Sequence, residues 1–355
     1  MSIGIAHVAA VGASTPVGRD AWATAAAVRA GVSGYSQHPY LLDSRGEPLT
    51  VAVASWLDPE VSGVSRLRAL LSPALDQVLG VLAAAEPGLK TALALALPVS
   101  RPGLAPDFTS ELARAIQADY PGAFAVTALF PKGHAAGLLA LEAVMRKFAQ
   151  GAFEACVLAG VESYLEPATL DWLEETDRLH GAGPLNNAWG FIPGEGAGAL
   201  LLVDGRAADR LDGPYLARVL GVGTGKEDQR IRTDTVCIGE GLTEAFRGAL
   251  GALTPGDTVS DVYCDMNGEP YRADEYGFTC LRTREFFRSA ADFVAPADCW
   301  GDVSAAGVPL HIALAAIAGN KGYANGPLAC VWASSEEGDR GAAVLRVSYG
   351  EADAG

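Results

Sequence analysis

Short apolar runs and amphipathic stretches alternate along the chain, in a pattern typical of α/β proteins. Apolar runs with few charges predict strands buried on both faces, and Ala- and Leu-rich stretches predict the helices between them. In the first half the predicted strands are Ile3–Gly12, Leu49–Ala54, Thr91–Pro98, Ala123–Leu129, Ala155–Val161 and Gly190–Asp204. The predicted helices there are Arg19–Ala30, Leu67–Ala85, Ser110–Tyr120 and Gly133–Ala149. Residues 31–60 show little periodicity and predict a surface excursion around the short strand Leu49–Ala54.

The second half repeats this order of strands and helices. Its predicted strands are Tyr215–Val222, Val259–Asp265, Leu328–Ala333 and Ala342–Tyr349, and its predicted helices are Gly241–Leu250 and Ala305–Ala318. Such a repeat indicates a duplicated fold, and a chain of 355 residues is long enough for two domains. We therefore predict one half over residues 1–205 and another over 206–355, with a seam near Asp204–Pro214.

A glycine-rich turn that feeds a strand, residues 187–204, is the most distinctive stretch of the sequence. Gly194, Gly196 and Gly198 permit positive φ angles and close backbone approach, and the apolar residues that follow predict a buried strand. Glu195 lies among these glycines with no basic residue within eight positions. We expect its carboxylate to accept hydrogen bonds from loop amides and so to fix the turn.

Composition and charge exclude several functional classes. The chain has 26 Lys+Arg against 42 Asp+Glu, a net charge of -16, which argues against nucleic-acid and anionic-membrane partners. No unbroken apolar run reaches the roughly 18 residues of a membrane span, and the N-terminus predicts a strand rather than a signal peptide. Six scattered cysteines without C-x-x-C spacing favour a reducing cytoplasm.

The sequence contains no recognisable metal-binding or cofactor-binding motif. The five histidines share no H-x-x-H or H-x₃-H spacing, so no metal is predicted. The segment 221–226, GVGTGK, lacks the length and the Ser/Thr of a phosphate-binding loop, and no cofactor is predicted.

The segment 190–202, GFIPGEGAGALLL, resembles the GF-x-x-GEGAG-x-L-x-L segment of β-ketoacyl synthases in the thiolase superfamily. The opening VAAVGASTPVG and the stretch 158–179, LAGVESYLEPATLDWLEETDRL, are also similar to these enzymes. The resemblance implies the thiolase fold, an α/β architecture of five αβαβα layers built from two pseudo-duplicated halves. It also implies acyltransferase chemistry, which depends on a cysteine and two histidines.

All three catalytic positions differ from the family pattern. Over residues 127–137 Leu129 stands in place of the cysteine at the strand-to-helix elbow, with His134 and Gly137 where the family's helix has His and Gly. Over residues 263–274 Asp265 stands in place of the first histidine, and over residues 297–307 Asp302 stands in place of the second. The closing Gly-Phe-Gly-Gly gate is replaced by residues 334–341, SSEEGDRG. The resemblance therefore implies a pseudoenzyme.

Two alternatives remain open for these positions. Asp265 and Asp302 could face each other as a carboxylate pair for acid/base work on an acyl thioester, as an acyltransferase or hydrolase with altered residues. Alternatively, bulky groups such as Leu129, Phe130 and Trp300 fill the place of the acyl-cysteine. The neighbouring cysteines, Cys264 and Cys299, are interpreted as buried structural residues, with Cys264 pointing away from Asp265. Lys132, at a helix N-terminus, is expected to bond an acid or to be solvated.

The resemblance also implies partners. Members of the family dimerise by pairing the strand before the elbow, here Ala123–Ala128, and an apolar edge of this kind favours association. We therefore predict a homodimer, or a heterodimer with an active ketosynthase in the manner of a chain-length factor, with an acyl carrier protein as a further partner. The alternative is an adaptor or chaperone for a secretion effector, as in thiolase-like proteins encoded beside bacterial effectors.

Overall fold

The computed structural model describes residues 4–85, 88–208, 215–231, 233 and 235–349. Its helices are α1 (Ala21–Arg29), α2 (Gly63–Ala85), α3 (Phe108–Asp119), α4 (Ala136–Ala149), α5 (Pro167–Glu175), α6 (Gly205–Ala208), α7 (Glu240–Leu250), α8 (Pro270–Thr283), α9 (Ala297–Trp300) and α10 (Gly307–Asn320). Its strands are β1 (Ala6–Ser14), β2 (Tyr35–Leu42), β3 (Pro48–Ala52), β4 (Thr91–Leu97), β5 (Val126–Pro131), β6 (Ala155–Ser163), β7 (Glu195–Asp204), β8 (Ala217–Lys226), β9 (Asp261–Cys264), β10 (Leu328–Ser334) and β11 (Asp339–Val347).

Among the described residues the main sheet has nine strands in the order β5-β4-β6-β7-β1-β8-β11-β10-β9. β4 is parallel to β6, β6 is antiparallel to β7, and β7 is antiparallel to β1. The strands β9, β10, β11 and β8 repeat this sequence of directions. The two sets meet where β1 pairs with β8 over Ala6–Val8 only. The strand order therefore has the repeat that the sequence predicts.

Three helical layers alternate with the two sets of strands. Helices α2 and α3 pack outside the first set, and α7 and α8 pack outside the second. Helices α4 and α10 lie between the sets and contact strands of both. Residues 307–319 of α10 are all buried. This is the predicted five-layer α/β architecture. The division at residue 205 stays a prediction, because residues 209–214 of the predicted seam lie outside the described residues.

Most predicted elements are confirmed, with shifts of a few residues at their ends. Residues 31–60 hold a two-stranded hairpin, β2 and β3, where the sequence predicts a single short strand. The helices α5, α6, α8 and α9 have no counterpart among the predicted elements. Ile3, the predicted start of the first strand, lies outside the described part of the chain.

Helix α2 is an exception to the prediction that no apolar stretch is long enough to span a membrane. Its residues Gly63–Ala84 are long and apolar enough to cross a membrane by length and mean hydropathy. In this fold, however, α2 packs against β1, β6 and β7. Its Arg66 also forms a buried ion pair with Glu195. The helix therefore belongs to the protein core.

Candidate functional site

The glycine-rich strand β7 begins at Glu195, whose side chain is fully buried. Its carboxylate accepts hydrogen bonds from Nε and Nη2 of Arg66, at 2.6 and 2.7 Å, and from the amide of Ala54, at 2.8 Å. The hydroxyl of Ser163 donates a further bond at 2.9 Å. The expected loop amide is therefore present, although it comes from Ala54 after β3 and not from the glycine-rich turn, and the carboxylate also has a counter-ion that was not predicted. The counter-ion comes from α2, which the search of neighbouring positions could not detect.

The glycines of this segment are required by close contacts rather than by positive φ angles. A Cβ atom at Gly194 would lie 2.2 Å from the carbonyl oxygen of Trp300, and one at Gly198 would lie 2.9 Å from the amide of Leu310. At Gly196 the nearest atom, the carbonyl oxygen of Ser14, is 3.1 Å away. Gly194 and Gly198 thus bring β7 against the segments that precede and form α10.

The strand-to-helix elbow lies further along the chain than the sequence predicted. Thr127 to Leu129 belong to β5, where Leu129 is paired with Leu95 of β4. The turn falls at Lys132 and Gly133, and Gly133 has a φ of 65°. Leu129 is half-buried and packs with the outer cluster around α2 and α3. Nζ of Lys132 lies 3.4 Å from Asp339, which is the acid contact expected for this residue.

Asp265 follows β9 and is held by two groups. Its Oδ2 accepts a hydrogen bond from Nη1 of Arg272 at 2.7 Å and another from the amide of Ser334 at 2.8 Å. Arg272, on α8, is completely buried, and it also donates to the carbonyl of Ser334 at 2.9 Å. The arginine thus connects the segment after β9 to the end of β10.

Asp302 has a separate set of partners. Its carboxylate is 2.9 Å from Nε2 of His134 and accepts bonds from Nδ2 of Asn267 at 2.6 Å and from the amide of Ser304 at 2.8 Å. Each aspartate is therefore bonded to a different basic residue, Asp265 to Arg272 and Asp302 to His134. Both acids line one cavity, as the alternative of a carboxylate pair requires, and acid/base work by the pair stays an alternative.

Charge and burial set the pKa values in this cluster. Burial alone would raise the pKa of Asp302, but His134 and Arg272 hold it well below its usual range. Burial opposes protonation of His134, but the Asp302 carboxylate outweighs it and raises the pKa. Nε2 of His134 lies within hydrogen-bond distance of both the Asp302 carboxylate and Nη2 of Arg272, at 2.9 and 3.1 Å, and the tautomer of His134 decides which of the two bonds forms. Burial lowers the pKa of the nearby His311 to about 4.

The cavity that remains at this cluster is about 20 Å³. It is lined by residues that include His134, Asp265, Trp300, Asp302 and His311. This volume holds about one water molecule, whereas ligand pockets for small molecules are typically several hundred Å³. Of the three bulky residues that the sequence analysis considered, Trp300 lines the cavity and Leu129 and Phe130 do not.

A further ion network closes the cluster on its outer side. Arg178, which is buried, pairs with Glu269 at 3.3 Å and with Glu336. Glu336 belongs to residues 334–341, which form the end of β10, a tight turn and the start of β11. Arg340, at the start of β11, pairs with the fully buried Glu275. The stretch that stands in place of the glycine-rich gate is therefore anchored by two arginines.

The cysteines near the cluster are buried structural residues, as the sequence indicated. Cys264 packs in the core between α7, α8 and the sheet, and burial raises the pKa of its thiol well above the usual value. Cys299 is buried, and burial raises its pKa too. A group that the sequence did not predict brings carboxylates of Glu227 and Glu275 within 4.8 Å of the Cys237 thiol. Burial raises the pKa of that thiol to about 11, so it is protonated at neutral pH.

The sequence missed the residues that connect the site. Arg272 was read as part of a degenerate motif, although Pro270 is the residue type that commonly opens a helix. That signal would have placed Arg272 in the first turn of α8, seven residues after Asp265. Arg178 carried no local signal, because its partners lie about 90 and 160 positions away.

No family model and no curated protein matches the sequence. Solved structures do match. The AntDE:AntF complex, a type II polyketide synthase acyl-carrier protein with its ketosynthase, aligns at 16% identity over 98% of this chain and 100% of that chain, with a TM-score of 0.80. The ishigamide ketosynthase/chain length factor aligns at 24% identity over 97% and 99%, with a TM-score of 0.69.

The ketosynthase ApeO with its chain length factor ApeC, from Xenorhabdus doucetiae, aligns at 14% identity over 97% of this chain and 98% of that chain, with a TM-score of 0.72. At such identities the likeness establishes the fold. The chain has the thiolase fold, in the form that ketosynthases and their chain length factors share, over nearly its whole length.

Proposed function

We propose that this chain is a catalytically inactive, ketosynthase-like scaffold that acts by binding another protein. What carries the proposal is the engagement of both aspartates, Asp265 by Arg272 and Asp302 by His134, around a cavity of only about 20 Å³. An acyl thioester has no room there. Neither carboxylate is free to act as a base, because each already accepts a charge-assisted hydrogen bond.

The described residues around this cavity also offer no activated nucleophile. The position that resembles the catalytic cysteine holds Leu129, which lies in β5 and carries no nucleophilic atom. Cys264 also lines the cavity, but it packs in the core with α7 and α8, and burial raises the pKa of its thiol well above the usual value. The thiolate is the reactive form of cysteine, so such a residue is inert.

The partner that we propose first is an active ketosynthase, which this chain would pair with through β5. Within the described residues β5 lies at the edge of the sheet with only β4 beside it. Its exposed residues include Val126 and Ala128. The solved relatives include a ketosynthase in complex with its chain length factor and one in complex with an acyl-carrier protein, which supports this choice.

The first test is intact-protein mass spectrometry after incubation with malonyl and long-chain acyl thioesters, beside an active ketosynthase as control. Thioester hydrolysis is followed in parallel. We expect no adduct and no turnover. An adduct on any cysteine, or hydrolysis that is lost in Asp265→Asn or Asp302→Asn, would show an altered acyl-thioester enzyme instead.

A second test identifies the partner. The chain is co-expressed with the products of the genes beside its own, and complexes are isolated by size-exclusion chromatography. A stable complex with a ketosynthase supports the proposal. A complex with a secretion effector and none with a ketosynthase would replace the proposed partner by an effector and leave the inactive scaffold standing.

A further inference from the structure

A groove lies between α1 and the C-terminal end of α10, away from the cavity described above. Its lining residues include Trp22, Ala26 and Arg29 of α1, and Ile317, Lys321 and Tyr323 from the end of α10 and the turn after it. We call it the α1–α10 groove, and its volume is about 510 Å³. Helix α10 starts at the small cavity and has 14 residues, a rise of about 21 Å, so the two sites lie at opposite ends of one helix.

Two cations in the α1–α10 groove are held by aromatic rings instead of by acids. The guanidinium carbon of Arg29 lies 4.2 Å from the ring centre of Tyr323, and Nζ of Lys321 lies 5.0 Å from that of Trp22. Within the described part of the chain, neither cation has a carboxylate at ion-pair distance, and the groove lining contains no Asp or Glu. The two cations therefore line the groove without an anionic partner among the lining residues.

This lining contrasts with the rest of a chain whose net charge is -16. A cation is favoured at the end of a helix, which accounts for the position of Arg29 in the last turn of α1 and of Lys321 at the end of α10. It does not account for two cations on opposite walls of one acid-free groove. Stacking on the rings also limits the rotamers of both side chains, so less entropy is lost when an anion binds.

The groove is also apolar and elongated. Trp22 is 42% exposed, and the small side chains of Ala26 and Ala30 leave space beside it. A second groove of about 260 Å³ shares Arg29 and Tyr323 and continues toward Val294 beside β9; it also contains Asp261, whose carboxylate accepts hydrogen bonds from Ser260 and Asn325. This shape suits an extended segment of a chain better than a compact ion.

We propose that the α1–α10 groove docks an acidic segment of a partner protein. Carboxylates of that segment bind Arg29 and Lys321, and an apolar side chain between them packs against Trp22. The charge complementarity and the exposed indole carry the assignment. It does not depend on pairing through β5 or on the state of the central cavity, because it uses a different face of the molecule.

The test is a selection of random peptides displayed on phage. Peptides are enriched on the wild-type chain and counter-selected on the double variant Arg29→Glu with Lys321→Glu. We expect a consensus with at least two Asp or Glu and one large apolar residue. A consensus without acids, or no enrichment over the double variant, would overturn the proposal.

The selected peptide is then synthesised and titrated against purified variants. We expect affinity to fall about tenfold in the double variant and to weaken with rising salt. Arg247→Glu, an exposed charge reversal on α7, should leave affinity unchanged, and Trp22→Ala should weaken it at constant net charge. Equal losses in Arg247→Glu would mean that only the overall charge matters, and an unchanged affinity in Trp22→Ala would contradict the apolar contact.

Inorganic pyrophosphate distinguishes a docked protein segment from a free anionic ligand. We expect pyrophosphate to weaken peptide binding no more than sodium chloride does at equal ionic strength. Saturable binding of pyrophosphate by calorimetry, lost in the double variant, would assign the groove to a small anion and overturn the proposed occupant. The unfolding midpoint of each variant shows that the fold is retained.

Discussion

Arg272 donates from Nη1 to Oδ2 of Asp265 at 2.7 Å, and neither side chain is more than one-tenth exposed. Removing one partner of a buried ion pair is strongly destabilising, because the remaining charge stays buried without a counter-ion. The pair thus joins α8 to the segment after β9, beside the small cavity.

Replacement of this arginine tests that role. We expect Arg272→Met to lower the free energy of unfolding by about 3–5 kcal/mol, since Asp265 would remain buried and unpaired. The double variant with Asp265→Asn should recover part of the loss, because a neutral amide needs no counter-ion. The measurement is urea unfolding, with the exposed Arg284→Met as control. Equal effects of Arg272→Met and Arg284→Met would contradict the pairing.

Asp302 and His134 should make stability depend on pH. The raised pKa of His134 contributes stability below its unfolded value near 6.5, and the contribution is lost as the pH rises through the folded value. The lowered pKa of Asp302 contributes above its unfolded value near 3.8 and is lost as the pH falls. We expect Asp302→Asn to lower the free energy of unfolding, measured with urea, most near pH 5 and less at pH 9. A constant difference over that range would contradict an ionised His134.

The lowered pKa of His311 should make the free energy of unfolding depend on pH with the opposite sign to that expected for His134. Its folded pKa is about 4, so between pH 6.5 and 4 the unfolded chain binds a proton that the folded protein does not. We expect the free energy of unfolding to fall by on the order of 3 kcal/mol as the pH falls through that window. His311→Gln should flatten the slope, and the exposed His180→Gln should not. A slope that persists in His311→Gln would assign it to other groups.

Glycine 194 should tolerate no side chain. A Cβ there would lie 2.2 Å from the carbonyl oxygen of Trp300, and a backbone atom cannot move aside as a flexible side chain can. We expect Gly194→Ala to cost about 1–3 kcal/mol or more. Gly80→Ala, on the exposed face of α2 with open space around it, should instead gain about 1 kcal/mol. Thermal unfolding of both variants measures the contrast.

The exposed edge of β5 predicts association. We expect Ala128→Glu to convert a dimer to a monomer. Pairing at β5 would bury the new carboxylate without a counter-ion in a heterodimer, and would place it beside the same carboxylate of the second copy in a homodimer. Light scattering after size-exclusion chromatography measures the mass. Leu281→Glu, at an exposed apolar position on α8, is the matched control. A wild-type chain that is monomeric, alone and with a ketosynthase, would contradict pairing at β5.

The order of strands and helices could be predicted because each element has its own hydrophobic pattern in the local sequence. Apolar runs such as Thr91–Leu97 are buried on both faces, and their composition alone indicates a strand in a covered sheet. Strand β2 was missed because its residues are mostly exposed and carry no apolar alternation. The start of α8 was missed because Pro270 is also a turn residue, and only its place after Glu269 makes it a helix opening.

The candidate site could be located but not understood from the sequence. Asp265 and Asp302 were placed at one cavity by the resemblance, and the structure brings both to it. Their partners could not be predicted, because His134 and Asp302 are 168 positions apart and meet only when both central helices are packed. Glu195 shows the same limit, since Arg66 reaches it from 129 positions away.

Helix α10 also has a consequence for biosynthesis. Residues 307–319 are all buried, and they cover the inner faces of strands from both halves. A ribosome that has made only the first half has therefore produced a layer whose apolar inner face is covered by α4 but not yet by α10. Packing of that face against α10 must wait until residue 320 has left the exit tunnel, and apolar surface that is exposed during such an interval favours aggregation.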